Sequence, residues 1–535
     1  MTSPALVAAL TVVPNSDRLD RTFGSLLAQS DTHWQWCVAV SPDAPPGTLD
    51  SVNELIAGEP RAFAVLGLCA NPAALAGQAL ELARADAVAW LGAGDRLDPN
   101  TVAMVRKRLP TGAWLYTDEG AIDENGRTAD MWFKPDYAPE WLRSQPYAVR
   151  LAVLPLDVVR AVGGVRPEAR TAAWYDLVLR VAATVGPPAH LAGPFYLHGS
   201  PAGGAPFVPE DPQDRCAVVA RSLQVAGELV EVSPIEVGGH PVGQRIRRRL
   251  SGHPRISIVI PTGAGSSVIH GFPRCHVVEL IRSLWTAQRY PDLELVVVYD
   301  VGTTPAAALR EIEVITGGDV VMVPFAGPFH FSRKCNAGAL AASGEYLCFL
   351  NDDMEVVTPD WLHELASLLA DPQVGAVGAR LLFADGTLQH AGHEYNGGSA
   401  GHMMFRYGSQ DLDFGGLALV TSERSGVTGA CMLLRATDFL RVGGFSEEFP
   451  LSYNDVDLSL KIRAAGLRIL YTPHATLFHY ESQTRNATVT EQERVRIHWR
   501  WRPHLHHDPY VNELLRIPIA GKPRGSIETD RVNPG

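Results

Sequence analysis

Residues 338–353 read GALAASGEYLCFLNDD. The small residues at the start close a helical segment, and YLCFL (346–350) is a short apolar run of strand length. It stops at three adjacent polar side chains, Asn351-Asp352-Asp353. A helix leading into a buried strand that ends in polar residues is the repeating unit of an α/β fold, whose ligands lie beyond the carboxyl ends of the strands. Upstream, ISIVIPT (256–262) is a continuous β-branched run with the signature of a buried parallel strand. LELVVVYD (293–300) is another, ending on Asp300. Downstream, YNDVDLSLKIRAAG (453–466) has helical spacing through Leu458, Leu460, Ile462 and Ala464, and YTPHATLFHYE (471–481) carries His479.

The first half of the chain repeats this order. Ser25-Leu26-Leu27-Ala28-Gln29 precedes Trp34, Trp36 and a strand, as Ser283-Leu284-Trp285 and Gln288 precede Leu293, Leu295 and a strand. ALELARADAVAWL (79–91) lies over GALAASGEYLCFL (338–350). Val162-Gly163-Gly164 lies over Val442-Gly443-Gly444, Asp176 over Asp457, and His198 over His479. Matches in one order predict two copies of one α/β domain with mainly parallel sheets. Between them the Pro- and Gly-rich residues 199–214 and the basic stretch 238–255 read as a linker, 199–254, carrying one helix from Arg215 onward.

Composition narrows the class. With 535 residues, 46% hydrophobic and 19% charged, the chain has material for more than one packed core and excludes a disordered or disulfide-scaffold protein. A net charge of −12 argues against nucleic acid as a partner, despite the interleaved RVRIHWRWRP (494–503). There a terminal helix packing its tryptophans on the domain is the plainer reading. The seven cysteines are scattered, without a C-x-x-C pair, which fits a reducing cytoplasmic compartment. The N-terminus lacks the basic start of a signal peptide, and no apolar run reaches membrane-spanning length.

At the strand end, Asn351-Asp352-Asp353 suits a hard divalent cation, Mg²⁺ or Mn²⁺. The same residue types also favour turns. Asp457 in the first turn of its helix complements the helix dipole, whereas Asp455 is free to face a cleft. A lone histidine is more often structural than a ligand. Read beside Asn351-Asp352-Asp353, however, His479 is a candidate third ligand.

These segments, with VGAVGARLLFADGTLQHAGH (374–393), SGVTGACMLLR (425–435), VGGFSEEF (442–449) and DPY (508–510), make residues 256–510 resemble a family 2 glycosyltransferase of GT-A fold, of the kind that builds bacterial surface polysaccharides. YTDEGAIDENG (116–126), FKPDYAPEWLRSQ (133–145) and YDLVLRV (175–181) carry a fainter resemblance in the first half. The resemblance implies a nucleotide-sugar donor with its base near Pro261, Thr262 and Asp300, and with Arg333 and Asn336 on the nucleotide side. Asn351, Asp352 and Asp353 occupy the family's D-x-D position, which makes Asp353 the direct metal ligand and Asn351 a ribose contact; His479 matches the metal-binding histidine. Asp455 matches the general base of inverting members, with Asn454 replacing the preceding acid. Thr428-Gly429-Ala430 shapes the floor of the donor-sugar pocket, or is simply tight packing. His390 and His393 lie in a family-typical stretch to which no role is assigned.

The expected organisation is thus a GT-A-like domain over 1–198, the linker 199–254, a catalytic domain over 255–485, and a C-terminal helix and tail over 486–535. Opposite Asn351-Asp352-Asp353 stand Gly92-Ala93-Gly94, and opposite Asn454-Asp455 stand Ala173-Trp174, so the first copy reads as a domain without transferase chemistry. The expected activity is metal-assisted, inverting transfer of a sugar to a hydroxyl of a glycan or lipid-linked glycan acceptor. The alternatives are a bifunctional or polymerising transferase using both halves, and a non-catalytic carbohydrate-binding scaffold. Arg245, Arg247, Arg248 and Arg249 read as a solvated linker face or as a contact to anionic lipid headgroups at the membrane surface.

Overall fold

The computed structural model describes residues 7–515 apart from 14–17, 110–112, 123–127, 200–209, 270–271, 288–289 and 481–488. Gln288 of the repeat, the Pro- and Gly-rich residues 200–209 and the tail from Gly521 lie outside the described residues.

Two large α/β sheets dominate. In spatial order the first runs Ala62–Leu66, Trp34–Val40, Val7–Val13, Ala87–Trp90, Val153–Pro155, Leu115–Ile122, Ala189–Gly199 and Arg96–Leu97. The second runs Val321–Phe325, Leu293–Asp300, Ile256–Thr262, Tyr346–Leu350, Cys431–Arg435, Val374–Leu382, Arg468–His479 and Met354–Val356. Both are parallel through their first four strands and mixed beyond. The registers coincide. Val7 faces Trp34 and Ala87, and Ile256 faces Leu293 and Tyr346. Ala87 then faces Pro155, and Tyr346 faces Arg435.

Sequence explains the packing of these layers. ISIVIPT is buried along its whole length because helices cover both faces of the sheet. On one face the helix Phe331–Ala341 approaches through Gly338, where a Cβ would lie 2.3 Å from Val259 Cγ1. Only glycine allows that helix to sit so close. The helix Asn454–Ala464 starts after Tyr453, whose φ of 59° breaks the preceding turn; Asp455 and Asp457 then occupy the positive end of the dipole, with Lys461 and Arg463 at the other.

The segment read as a linker is more than one helix. It holds the helix Pro212–Val225 and an antiparallel hairpin, Val230–Val237 with His240–Arg248. The hairpin follows from the alternation in VEVSPIEV and the Gly238-Gly239 turn, both glycines having positive φ. It ties the halves together. Arg248 forms a two-pronged pair with buried Glu140 (2.7 and 2.8 Å), and Arg245 pairs with Glu364 (2.7 Å). Arg247 reaches Asp360 and Arg249 reaches Glu231, so all four arginines of the cluster take part in ion pairs, those of Arg247 and Arg249 at the exposed surface.

Further contacts lock the two sheets. Glu423 of the second half accepts from the amides of Glu140 and Trp141 (2.9 and 3.0 Å). The DPY stretch also acts structurally. Asp508 accepts from Ser425 Oγ and the Tyr395 amide, and Asn512 Nδ2 donates to Asp118 of the first half (3.0 Å). Of the tryptophans in the helix Glu491–His506, Trp501 donates to Asp457 Oδ1 (2.8 Å), whereas Trp499 is 87% exposed instead of packing on the domain.

Candidate active site

The carboxyl end of the second sheet gathers most of the residues singled out above. Thr262, at the end of its strand, donates from Oγ1 to Asp352 (2.5 Å) and accepts from the Ala264 amide (2.8 Å). Asp300 ends the neighbouring strand and pairs with Lys334 Nζ (2.7 Å), which also donates to Thr262 O (2.6 Å). Lys334 is fully buried; burial draws its pKa down and Asp300 opposes that. Sequence reading missed Lys334. Its neighbour Arg333 is exposed and pairs outward with Glu447 (2.8 Å). A helix turns about 100° per residue, so only one of the adjacent cations faces the sheet. Asn336 also faces elsewhere, since its amide exchanges hydrogen bonds with the Phe445 backbone (2.9 and 3.0 Å) and pins the turn after Gly444.

Asp353 and His479 lie across a strand pair in which Met354 faces His479. His479 Nε2 is 3.1 Å from Asp353 Oδ1 and 3.3 Å from Asn351 Nδ2. His479 Nδ1 donates to Gln389 Oε1 (2.6 Å), turning the Nε2 lone pair toward Asp353. Asp353 Oδ1 is buried and receives no hydrogen bond. Two electron-rich atoms converging at this distance, one oriented by an outer amide, fit a divalent cation. Burial raises both adjacent carboxyls; a protonated His479 ring, its Nε2–H then turned to Asp353, holds that carboxyl below the ordinary range, while the charge of Asp353 drives Asp352 further up.

Asp455 stands close by. Asn351 N–H donates to Ala430 O (3.0 Å), and from the preceding residue the Gly429 N–H donates to Asp455 Oδ2 (3.0 Å). One short segment therefore joins the Asp353 side to the Asp455 side. His393 Nε2 lies 4.0 Å from Asp455 Oδ2. Burial raises the Asp455 carboxyl, but His393 and the Gly429 amide outweigh it and leave it low. Asn454 is buried and bonds Leu451 O (3.0 Å), so it shapes the helix start. Asp457 is wholly buried, paired with Lys461 and Arg500.

The same register in the first sheet meets different chemistry. Counting five residues back from Pro155 and Arg435, which face equivalent partners, sets Arg150 in the place of Ala430. Its guanidinium pairs with buried Glu119 (3.1 Å), which also holds Lys134 (2.8 Å). Trp174, second residue of its helix as Asp455 is of its own, stacks toward Trp90 (6.2 Å). Asp95 is tied back by Tyr196 O–H and the Gly199 amide. His198 remains, but burial and Arg150 push its pKa down to about 4.

The acid–histidine pair, the buried lysine and the helix-borne aspartate thus gather at one end of the second sheet. Residues 254–501 match the family described as glycosyltransferase like family 2, so the second half of the chain is similar to that family. The chain is 33% identical over 529 residues to the O-antigen biosynthesis protein RfbC of Myxococcus xanthus, spanning 96% of this chain and 40% of that one. It is 31% identical over 554 residues to protein y4gI of Sinorhizobium fredii, covering 98% and 59% of the two chains. The chain thus spans only part of the length of both relatives. Among solved structures, GalNAc-T7 with UDP, GalNAc and Mn²⁺ is similar at 14% identity and a TM-score of 0.37, over 47% of this chain and 50% of that one.

Proposed function

We propose that the second half transfers a sugar from a nucleotide-sugar donor to a hydroxyl of a surface polysaccharide or lipid-linked glycan, with inversion at the anomeric carbon. The observation that carries this reading is the short segment 428–430, which brings the Asp353–His479 pair and Asp455 to one strand end. The RfbC relative supports the polysaccharide class.

Thr262, Asp300 and buried Lys334 receive the nucleotide, with Pro261 as the strand-end wall. Asp353 and His479 hold Mn²⁺ or Mg²⁺, which when bound neutralises charge on the departing diphosphate. Asp455, held ionised, accepts the proton of the acceptor hydroxyl at a carboxylate oxygen as that oxygen bonds to the anomeric carbon and the sugar–phosphate bond breaks. A positioned base of this kind contributes roughly 10²–10⁴-fold. Gly429 forms the floor beside the sugar, its amide turned to Asp455.

The first half serves as a non-catalytic partner. Arg150 and its ion pairs fill the place of the pocket floor, and Trp174 stands in place of the base. Such a domain contributes assembly or acceptor binding.

The test is thermal stabilisation by UDP, dTDP and GDP, with and without Mn²⁺. A ligand at about 100 times its dissociation constant adds about 2.7 kcal/mol. Mn²⁺-dependent stabilisation by one nucleotide, absent in Asp353→Ala, is expected; no response to any of them refutes the reading. Sugar transfer retained by Asp353→Ala/Asp455→Asn would place activity in the first half.

A further inference from the structure

Three imidazoles meet beside Asp455. His390 ends one strand, and His393 and His402 face each other across the hairpin His393–Asn396 with Ser399–His402. Their ring centroids are 5.1, 4.9 and 5.2 Å apart at interplanar angles of 82°, 79° and 89°. One nitrogen of each ring lies within 4.8 Å of the others, a geometry that invites a metal.

The hydrogen-bond directions argue otherwise. The Thr428 amide donates to His390 Nε2 (3.1 Å), so this nitrogen holds a lone pair and the single proton of the neutral ring sits on Nδ1. That proton faces His402 Nδ1 at 2.8 Å, which accepts it. The lone pair of His390 is thereby committed to the backbone, and its proton to His402. A cation among the rings would require His390 to bind it through a nitrogen that already carries hydrogen. His390 is wholly buried, and burial together with the neighbouring imidazoles keeps it neutral, which preserves this tautomer.

The amide that follows Thr428 belongs to Gly429, and it donates to Asp455 Oδ2. Two consecutive N–H groups are therefore aimed, one at His390 and one at Asp455. We infer that His390 is a positioning residue for Asp455: its Nε2 lone pair holds the Val427–Thr428 peptide through the Thr428 N–H, and the next peptide, anchored at that Thr428, then aims the Gly429 N–H at the carboxylate that takes the acceptor proton. This rests on the reading of Asp455 as the base. The groups that face Asp455 are His393, Tyr395 and His402 from the hairpin, the Gly429 amide from the floor, and the Val456 amide of its own helix. Removing the bond from Gly429 takes a donor from the ionised form and raises the carboxyl pKa.

The experiment uses the full chain labelled with ¹⁵N-imidazole histidine and ¹³Cγ-aspartate, signals being assigned by their loss in His390→Gln and Asp455→Asn. In the wild type, His390 is expected as the Nδ1–H tautomer without titration between about pH 5.5 and 8. In His390→Ala the Asp455 midpoint moves upward by about 0.5 pH unit or more. In His390→Gln it stays in place, because the amide oxygen accepts from Thr428 and its NH₂ donates to His402. An Nε2–H tautomer in the wild type overturns the inference without recourse to any variant. So does an unmoved Asp455 midpoint in a folded His390→Ala. Sugar transfer by Asp455→Asn is read in parallel with UDP-, dTDP- and GDP-sugars. Retained transfer removes the base, and this inference with it, whatever the titration shows; lost transfer with an unmoved midpoint removes the inference alone.

Discussion

Arg248→Met removes one of the contacts that couple the hairpin to the first half. In the wild type the Arg248 guanidinium grips Glu140 with both prongs at 2.7 and 2.8 Å, and Glu140 is only 2% exposed. Burial would raise the Glu140 carboxyl, but Arg248 foremost, then Arg143 and Arg468, lower it from 4.5 to about 2. At about 1.4 kcal/mol per pH unit, that drop is worth about 3 kcal/mol. Breaking a buried ion pair by removing one partner costs about 3–5 kcal/mol, which agrees. The sign follows from the depressed pKa. This stability is present above about pH 4.5 and is lost as pH falls toward about 2, since the unfolded chain binds the proton first. Urea unfolding of wild type, Arg248→Met, Glu140→Gln and the double variant, at pH 7 and pH 4, measures it. Arg248→Met is expected to cost about 3 kcal/mol at pH 7 and the double variant much less, because no charge is then left buried alone. A cost below about 1 kcal/mol, or simple additivity of the two substitutions, would refute the reasoning.

Lys334→Met should abolish stabilisation by nucleotide and leave Asp300 without its cation, whereas Arg333→Ala, at an exposed pair, should change stability by less than about 1 kcal/mol and leave nucleotide response intact; the same thermal-shift series compares them. Gly338→Ala, whose methyl would sit 2.3 Å from Val259 Cγ1 and 2.9 Å from Val298 Cγ2, should cost about 1–3 kcal/mol in urea unfolding through overpacking. His198 is depressed from 6.5 to about 4, so stability should rise with pH between those values as the unfolded chain loses the proton that the native ring never takes; His198→Gln should flatten that part of a pH–stability curve.

Much of this molecule was legible in one dimension. Uninterrupted apolar runs such as ISIVIPT and YLCFL announce strands buried on both faces, because nothing but a double layer of helices hides every side chain of a strand. The repeat was legible for the same reason: equal spacing between strands yields equal register, and the Val7 and Ile256 ladders match residue for residue. Asp353, His479 and Asp455 stood out because polar side chains interrupt apolar patterns at strand and helix ends.

Tertiary structure decided what spacing does not encode, namely which way a side chain points and what meets it. Lys334 rather than Arg333 faces the strand ends at Thr262 and Asp300, because helical phase relative to the sheet is set by Gly338 packing on Val259. Asn336 and DPY make ties whose partners lie across the fold, at Phe445 for the first and at Ser425 and Tyr395 for the second. The arginine cluster from Arg245 to Arg249 found acids drawn from both halves, and Arg150 took the place of Ala430 beside a buried Glu119, which Gly92-Ala93-Gly94 and Ala173-Trp174 did not announce. Periodicity fixes elements because it is local. Pairing across 100 residues or more is a property of the packed chain alone.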